Sequence, residues 1–136
     1  MNSFNVYGQS TETIGGSTPV WLGTVKPIPV GASVMVSKNA PLTAGLACSF
    51  DPETGVVSVI ASGDGFNGSA IYGFIYNDVI TDSEKPVYAT CAIVRHHPEG
   101  LLIERAYPDI TAEQIATLQA KIPGVLLVRE PNQSAE

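Results

Sequence analysis

Two histidines, two cysteines and a scatter of carboxylates are the side chains with chemistry to offer in this chain of 136 residues. His96 and His97 are adjacent, so on an extended strand their imidazoles point to opposite faces and do not easily share one metal ion. They precede Pro98-Glu99-Gly100, a turn composition, and are expected to be solvent-exposed at a strand end. Cys48 and Cys91 stand apart, with no CxxC and no neighbouring histidine cluster. A disulfide between them is sterically open and the sequence does not settle it. An isolated cysteine behaves as a small hydrophobe, and two buried free thiols are the expectation.

The acids assemble no better. Asp64-Gly65-Phe66-Asn67-Gly68 begins like a calcium loop but lacks the later acidic ligands and the closing glutamate. It is read as a glycine-rich loop. Asp51/Glu53 and Asp82/Glu84 fall in turns, where acids are solvated. The chain contains no GxGxxG, no P-loop and no GxSxG, and no serine, histidine and aspartate pattern suggests a triad. Asn67-Gly68-Ser69 matches a glycosylation sequon without a secretory leader to give it meaning. No catalytic, cofactor or metal residue is assigned, and the expectation is a non-enzymatic protein whose work is binding.

The elements that would carry such work are legible. Leu46–Phe50 and Val56–Ile60 flank Asp51-Pro52-Glu53-Thr54-Gly55, a hairpin in which Pro52 presets the turn and Gly55 supplies a left-handed residue. Ser33–Ser37, Ile71–Tyr76 and Val87–Val94 read as strands from their β-branched and aromatic content. The acidic connector Thr81–Pro86 separates the last two. Lys26-Pro27-Ile28-Pro29 is expected to break any strand, since neither proline donates to a ladder. Thr111-Ala112-Glu113-Gln114 is a capping box, Ile110 and Ile115 form a hydrophobic staple, and Ile115, Leu118 and Ile122 make one apolar stripe. Pro123-Gly124 ends that helix before a closing strand, Val125–Val128. With ten prolines and thirteen glycines, the fold class is mostly β with one or two short helices, an α+β body of a size that forms one domain.

Residues 1–19 read as an extended arm. Asn, Ser, Gly, Thr and Gln dominate them, with Phe4, Val6, Tyr7 and Ile14 scattered through, and they end in the flexible joint Gly15-Gly16-Ser17-Thr18-Pro19. Residues 20–130 form the body and 131–136 a mobile tail. A net charge of −6 argues against nucleic acid as a partner, because phosphate binding needs clustered lysine and arginine. The charge is uneven: residues 1–50 hold one acid, Glu12, and two bases, Lys26 and Lys38, while the other 12 acids and five bases follow. The first third is therefore expected to be covered, by its own body or by a partner. Met1-Asn2-Ser3-Phe4-Asn5 lacks the basic start and apolar block expected of a signal peptide, and no apolar run approaches membrane-spanning length. The expectation is a protein made in the cytoplasm that stays soluble until it meets its partner.

One further pattern lies in Ala70-Ile71-Tyr72-Gly73-Phe74-Ile75, then Asn77-Asp78-Val79-Ile80-Thr81-Asp82, then Val87 to Arg95. Leu101–Glu104, the helix from Ala112 and Gly124–Val128 continue it. In order and spacing these residues resemble the head decoration, or capsid-stabilising, proteins of tailed bacteriophages of the lambda type, over about the last two thirds of the chain. His96-His97-Pro98-Glu99 departs from that family's short glycine turn, and the loop at 61–68 is longer. The resemblance implies a small β-barrel-like, β-tulip body with an extended N-terminal arm. It implies a homotrimer on the outer surface of an expanded virion capsid, at threefold and quasi-threefold positions, clamping the major capsid protein against the pressure of packaged DNA. It brings no nucleic acid, membrane or cofactor. In that setting Phe4, Val6, Tyr7 and Ile14 are the partner-binding residues of the arm. Another virion subunit of tail or baseplate, or a small β-barrel enzyme or ligand-binding module, are the alternatives.

Overall fold

The computed structural model describes residues 20–130. The expected arm, with Phe4, Val6, Tyr7 and Ile14, and the expected tail lie outside the described residues. Five strands close into a barrel: β1 (Ile28–Val36), β2 (Ala47–Asp51), β3 (Val56–Val59), β4 (Gly73–Ile75) and β5 (Val87–Val94), in the spatial order β1-β3-β2-β4-β5. The seam is the antiparallel β1–β5 pair, with Val34 opposite Ala89 and Val36 opposite Val87. Within the barrel only β1 and β3 pair in parallel, with Ser33 opposite Val56. Closure removes the free strand edges of the barrel.

Alternation along β1 explains why it serves as the seam. Ala32, Val34 and Val36 are buried, while Met35 between them faces outward, the period of two that a half-buried strand requires. β2 and β3 form the predicted hairpin, with Asp51 opposite Val56 and Gly55 at a φ of 75° in the turn. β4 is shorter than Ile71–Tyr76. Its flanks make single bonds to opposite neighbours, Tyr72 N–H to the Cys48 carbonyl and Tyr76 N–H to the Ala92 carbonyl, and no ladder continues. Gly73 belongs there because a Cβ would meet Ile93 Cγ2 at 2.6 Å and the Val94 carbonyl at 2.7 Å.

Two expectations are corrected here. The Pro27–Pro29 segment does not exclude a strand: β1 begins at Ile28 and includes Pro29. The β1–β5 register slips between Ile28 and Ala32, and such an irregularity is where a residue without an N–H is tolerated. Nor is Pro98-Glu99-Gly100 a plain turn. It lies inside β6 (His97–Leu102), which pairs in parallel with β7 (Val125–Val128), again with a register slip between His97 and Leu101.

A second layer packs on the barrel: β6, the one-turn helix α1 (Ile103–Ala106), α2 (Ala112–Lys121) and β7. The capping box of α2 is formed in both directions, with Gln114 N–H on Thr111 Oγ1 at 3.1 Å and Thr111 N–H on Gln114 Oε1 at 3.0 Å. Leu118 and Ile122 are buried and Ile115 packs beside them. The core is one continuous cluster in which Phe74, Ile75, Ile93 and Val94 of the barrel meet Leu101, Ile103, Leu118 and Val125 of the second layer. The glycine-rich loop contributes to it as well. A 3-10 turn at Gly63–Gly65 drives Phe66 inward to 1% exposure. Lys121 Nζ then straps the loop to α2 through the carbonyls of Asn67 and Ser69, at 3.1 and 2.6 Å.

Candidate partner-binding surface

The described residues open with a firmly bonded root, Val20–Leu22. Val20–Leu22 lies antiparallel against β6: Leu102 N–H donates to the Val20 carbonyl at 2.7 Å, Leu22 N–H donates to the Gly100 carbonyl at 2.9 Å, and Trp21 stands opposite Leu101. His97 Nε2 donates to the Leu22 carbonyl at 2.6 Å, and its ring meets Trp21 edge to face at 5.4 Å. The Trp21 indole N–H donates to the Tyr76 carbonyl at 2.7 Å. His97 is therefore buried, at 2% exposure, against the expectation that both histidines are exposed. His96 alone faces solvent. The alternation that keeps the two rings apart also sends one of them into the core, and the apolar Trp21 face is what receives it.

Beside this root opens a cleft of about 1000 Å3. Its apolar wall is made by Trp21, Val25, Tyr76 and Ile80, with Ile80 74% exposed. Four side chains of its polar wall are already engaged. Arg105 and Glu130 form a bidentate pair at 2.8 and 2.9 Å. The Asp78 carboxylate accepts from Ala44 N–H at 2.8 Å. Glu104 accepts from Arg129 Nη2 at 3.0 Å and from Glu130 N–H at 3.0 Å. Hydrogen bonding from Arg105 holds the Glu130 carboxyl below its ordinary value, and the same bond raises Arg105. Both Val20 and Glu130, where the described chain begins and ends, line this cleft.

A second apolar feature lies on the outer face of the seam, where Met35 and Tyr88 are directly paired across β1 and β5 and are 44% and 58% exposed. The β6–β7 sheet, by contrast, offers no open edge at its centre. Val20–Leu22 covers β6, and the Gln119 carboxamide covers β7 by accepting from Leu127 N–H at 2.9 Å and donating to the Val125 carbonyl at 2.7 Å.

The cysteines are free and buried, as expected. Burial, reinforced by the neighbouring Cys91, pushes the Cys48 thiol up to about 12, and burial raises Cys91 as well. Such thiols are inert at neutral pH. Among the described residues no three His, Cys, Asp or Glu side chains come together as a metal site would need. No helix among them is long and apolar enough to cross a membrane. No protein family, curated protein or solved structure matches the chain.

Sequence reasoning missed the cleft and the role of His97. The single tryptophan, set beside an uncharged segment, was the available signal. The pairing of Glu104-Arg105 with Arg129-Glu130 was not, because it depends on α1 and the end of β7 meeting in space.

Proposed function

We propose that this chain is a virion structural protein that binds the outer surface of an expanded phage capsid as a homotrimer, at threefold and quasi-threefold positions, and stabilises it against the pressure of packaged DNA. The observation that carries the reading is a contrast. The body has its central strand edges closed or covered, while residues 1–19, with Glu12 as their one charge, leave it from a firmly bonded root. Such a body is better suited to donate a strand than to accept one, and adding a strand to a partner's exposed sheet edge is a known mode of peptide recognition. Ordering an arm costs conformational entropy, and three arms on one trimer offset that cost through effective concentration. Matching threefold symmetry in ligand and lattice lets all three engage together. The exposed Met35–Tyr88 pair is available for contacts between copies, and the net charge of −6 suits a body turned away from DNA.

The cleft favours one other reading, a small β-barrel enzyme or ligand-binding module, since concave and partly apolar pockets are where small molecules bind. Four of its polar side chains, Asp78, Glu104, Arg105 and Glu130, are, however, already hydrogen-bonded within the chain. Analytical ultracentrifugation of the full chain separates the readings. A discrete species of three times the 14.3 kDa chain mass is the expected result. Rings or tubes would move the assignment to a tail or baseplate subunit. A lone monomer whose melting temperature rises with small molecules would overturn the capsid reading.

A further inference from the structure

The strands around the barrel seam contain no charged residue. β5, β1 and β3 lie side by side, and none of the three contains Asp, Glu, Lys or Arg. On their outward side Tyr88 stands opposite Met35 and Thr90 opposite Ser33, and Ser33 in turn stands opposite Val56. Tyr88 is 58% and Met35 44% exposed, and Thr90 is exposed with them. β5 itself shows where the cover over this wall stops. Ile93 and Val94 are consecutive and both 0% exposed, so both faces of the strand are covered there. At Tyr88 and Thr90 the outer face is bare, while Cys91 stays buried. An apolar wall that continues past its own cover marks a protein contact. Tyrosine and methionine are enriched, and charged residues depleted, at the centres of such contacts.

The charge of the chain selects the partner. Each copy carries −6, so copies repel one another wherever their acidic surfaces meet. In a symmetric assembly the residues near the axis meet their own counterparts, and a charge placed there is opposed by itself. The seam face is free of that repulsion. Ile80, the most exposed of the large apolar side chains described, is not: it stands in the cleft with Asp78, Glu104, Arg105 and Glu130. Closure also leaves the barrel without a free edge, so copies meet at the seam through side chains and not by adding a strand.

We infer that the β1–β5 seam, centred on Met35 and Tyr88 and flanked by Ser33, Thr90 and Val56, is the face through which copies of this chain associate. The inference rests on the reading of the chain as a homo-oligomer and assigns that oligomer its contact.

Sedimentation equilibrium of the full chain, without capsids, tests it. The wild-type chain is expected to form one discrete oligomer that persists in about 1 M salt, where association driven by opposite charges weakens. Tyr88→Glu sets a carboxylate against the neighbouring copy and is expected to weaken association by about tenfold or more. Thr90→Glu, on the same exposed face, repeats the test if circular dichroism shows that Tyr88→Glu has disturbed the fold. Leu126→Glu, at a 48% exposed position of β7, is expected to leave association unchanged. An oligomer that survives both seam variants would overturn this face and leave the homotrimer standing. Equal weakening by Leu126→Glu would also overturn the face. A wild-type dimer that Tyr88→Glu dissociates would support the face and overturn the homotrimer. A folded wild-type monomer would overturn both.

Discussion

The Tyr107 hydroxyl accepts from Ala47 N–H at 2.8 Å and donates to the Ile60 carbonyl at 2.6 Å, so one side chain of the second layer ties the start of β2 to the end of β3. Its ring meets Phe66 edge to face at 5.1 Å. Tyr107→Phe keeps the ring and strands two buried backbone groups, each of which costs about 1–3 kcal/mol when left unpaired. The expected loss is about 3 kcal/mol in urea unfolding, with the fold retained; a change under about 0.5 kcal/mol, the scale of an ordinary surface substitution, would show that the bonds carry no weight. Burial also raises the Tyr107 phenol, as it raises Cys48 to about 12 from an ordinary 9.0. Both groups are held neutral in the folded chain while the unfolded chain ionises. Their contribution is therefore complete below about pH 9 and declines as pH rises from there toward 12. Urea midpoints measured between pH 8 and 11 should fall, and fall less steeply in Cys48→Ala; parallel slopes would contradict the assignment. Buried thiols were legible in the isolated cysteines. Tyr107 was not, because a tyrosine in a connector gives no hint that its hydroxyl will bridge two strands more than forty residues away.

Among the elements, hairpins and caps were legible because the residues that specify them are neighbours in sequence. The Asp51–Gly55 turn, the strand Val87–Val94 and the Thr111–Gln114 box all follow from local chemistry. β6 was not legible: the Pro98-Glu99-Gly100 composition signals a turn, and only pairing with β7 on one side and Val20–Leu22 on the other makes it a strand. The same holds for Pro29, whose missing N–H is accommodated by a slip in register against β5. Gln119 shows how a helix side chain completes a sheet. Its carboxamide occupies the Val125 carbonyl and Leu127 N–H, where another strand would otherwise pair. Gln119→Leu is expected to cost about 1–3 kcal/mol from the unpaired groups, and to cause association beyond the wild-type state in light scattering. Gln119→Glu, which keeps the acceptor and loses the donor, should fall between. Wild-type stability and hydrodynamics in Gln119→Leu would mean that the edge needs no cover.

At the scale of the whole molecule, a closed, acidic body follows an N-terminal sequence whose one charged side chain is Glu12. The body's barrel-like form was what the family resemblance implied, while its mostly β character followed from composition and strand patterning. The cleft and the direction of the arm's root did not, since they arise where the first described residues, α1 and the end of β7 converge. The central claim is that residues 1–19 supply the affinity and the body supplies the geometry. Co-sedimentation with expanded, empty phage capsids, using the full chain and a chain lacking residues 1–19, tests it most directly. The full chain is predicted to pellet with the capsids, while the shortened chain remains folded and trimeric but stays largely in the supernatant. Equal pelleting of both chains would contradict the claim.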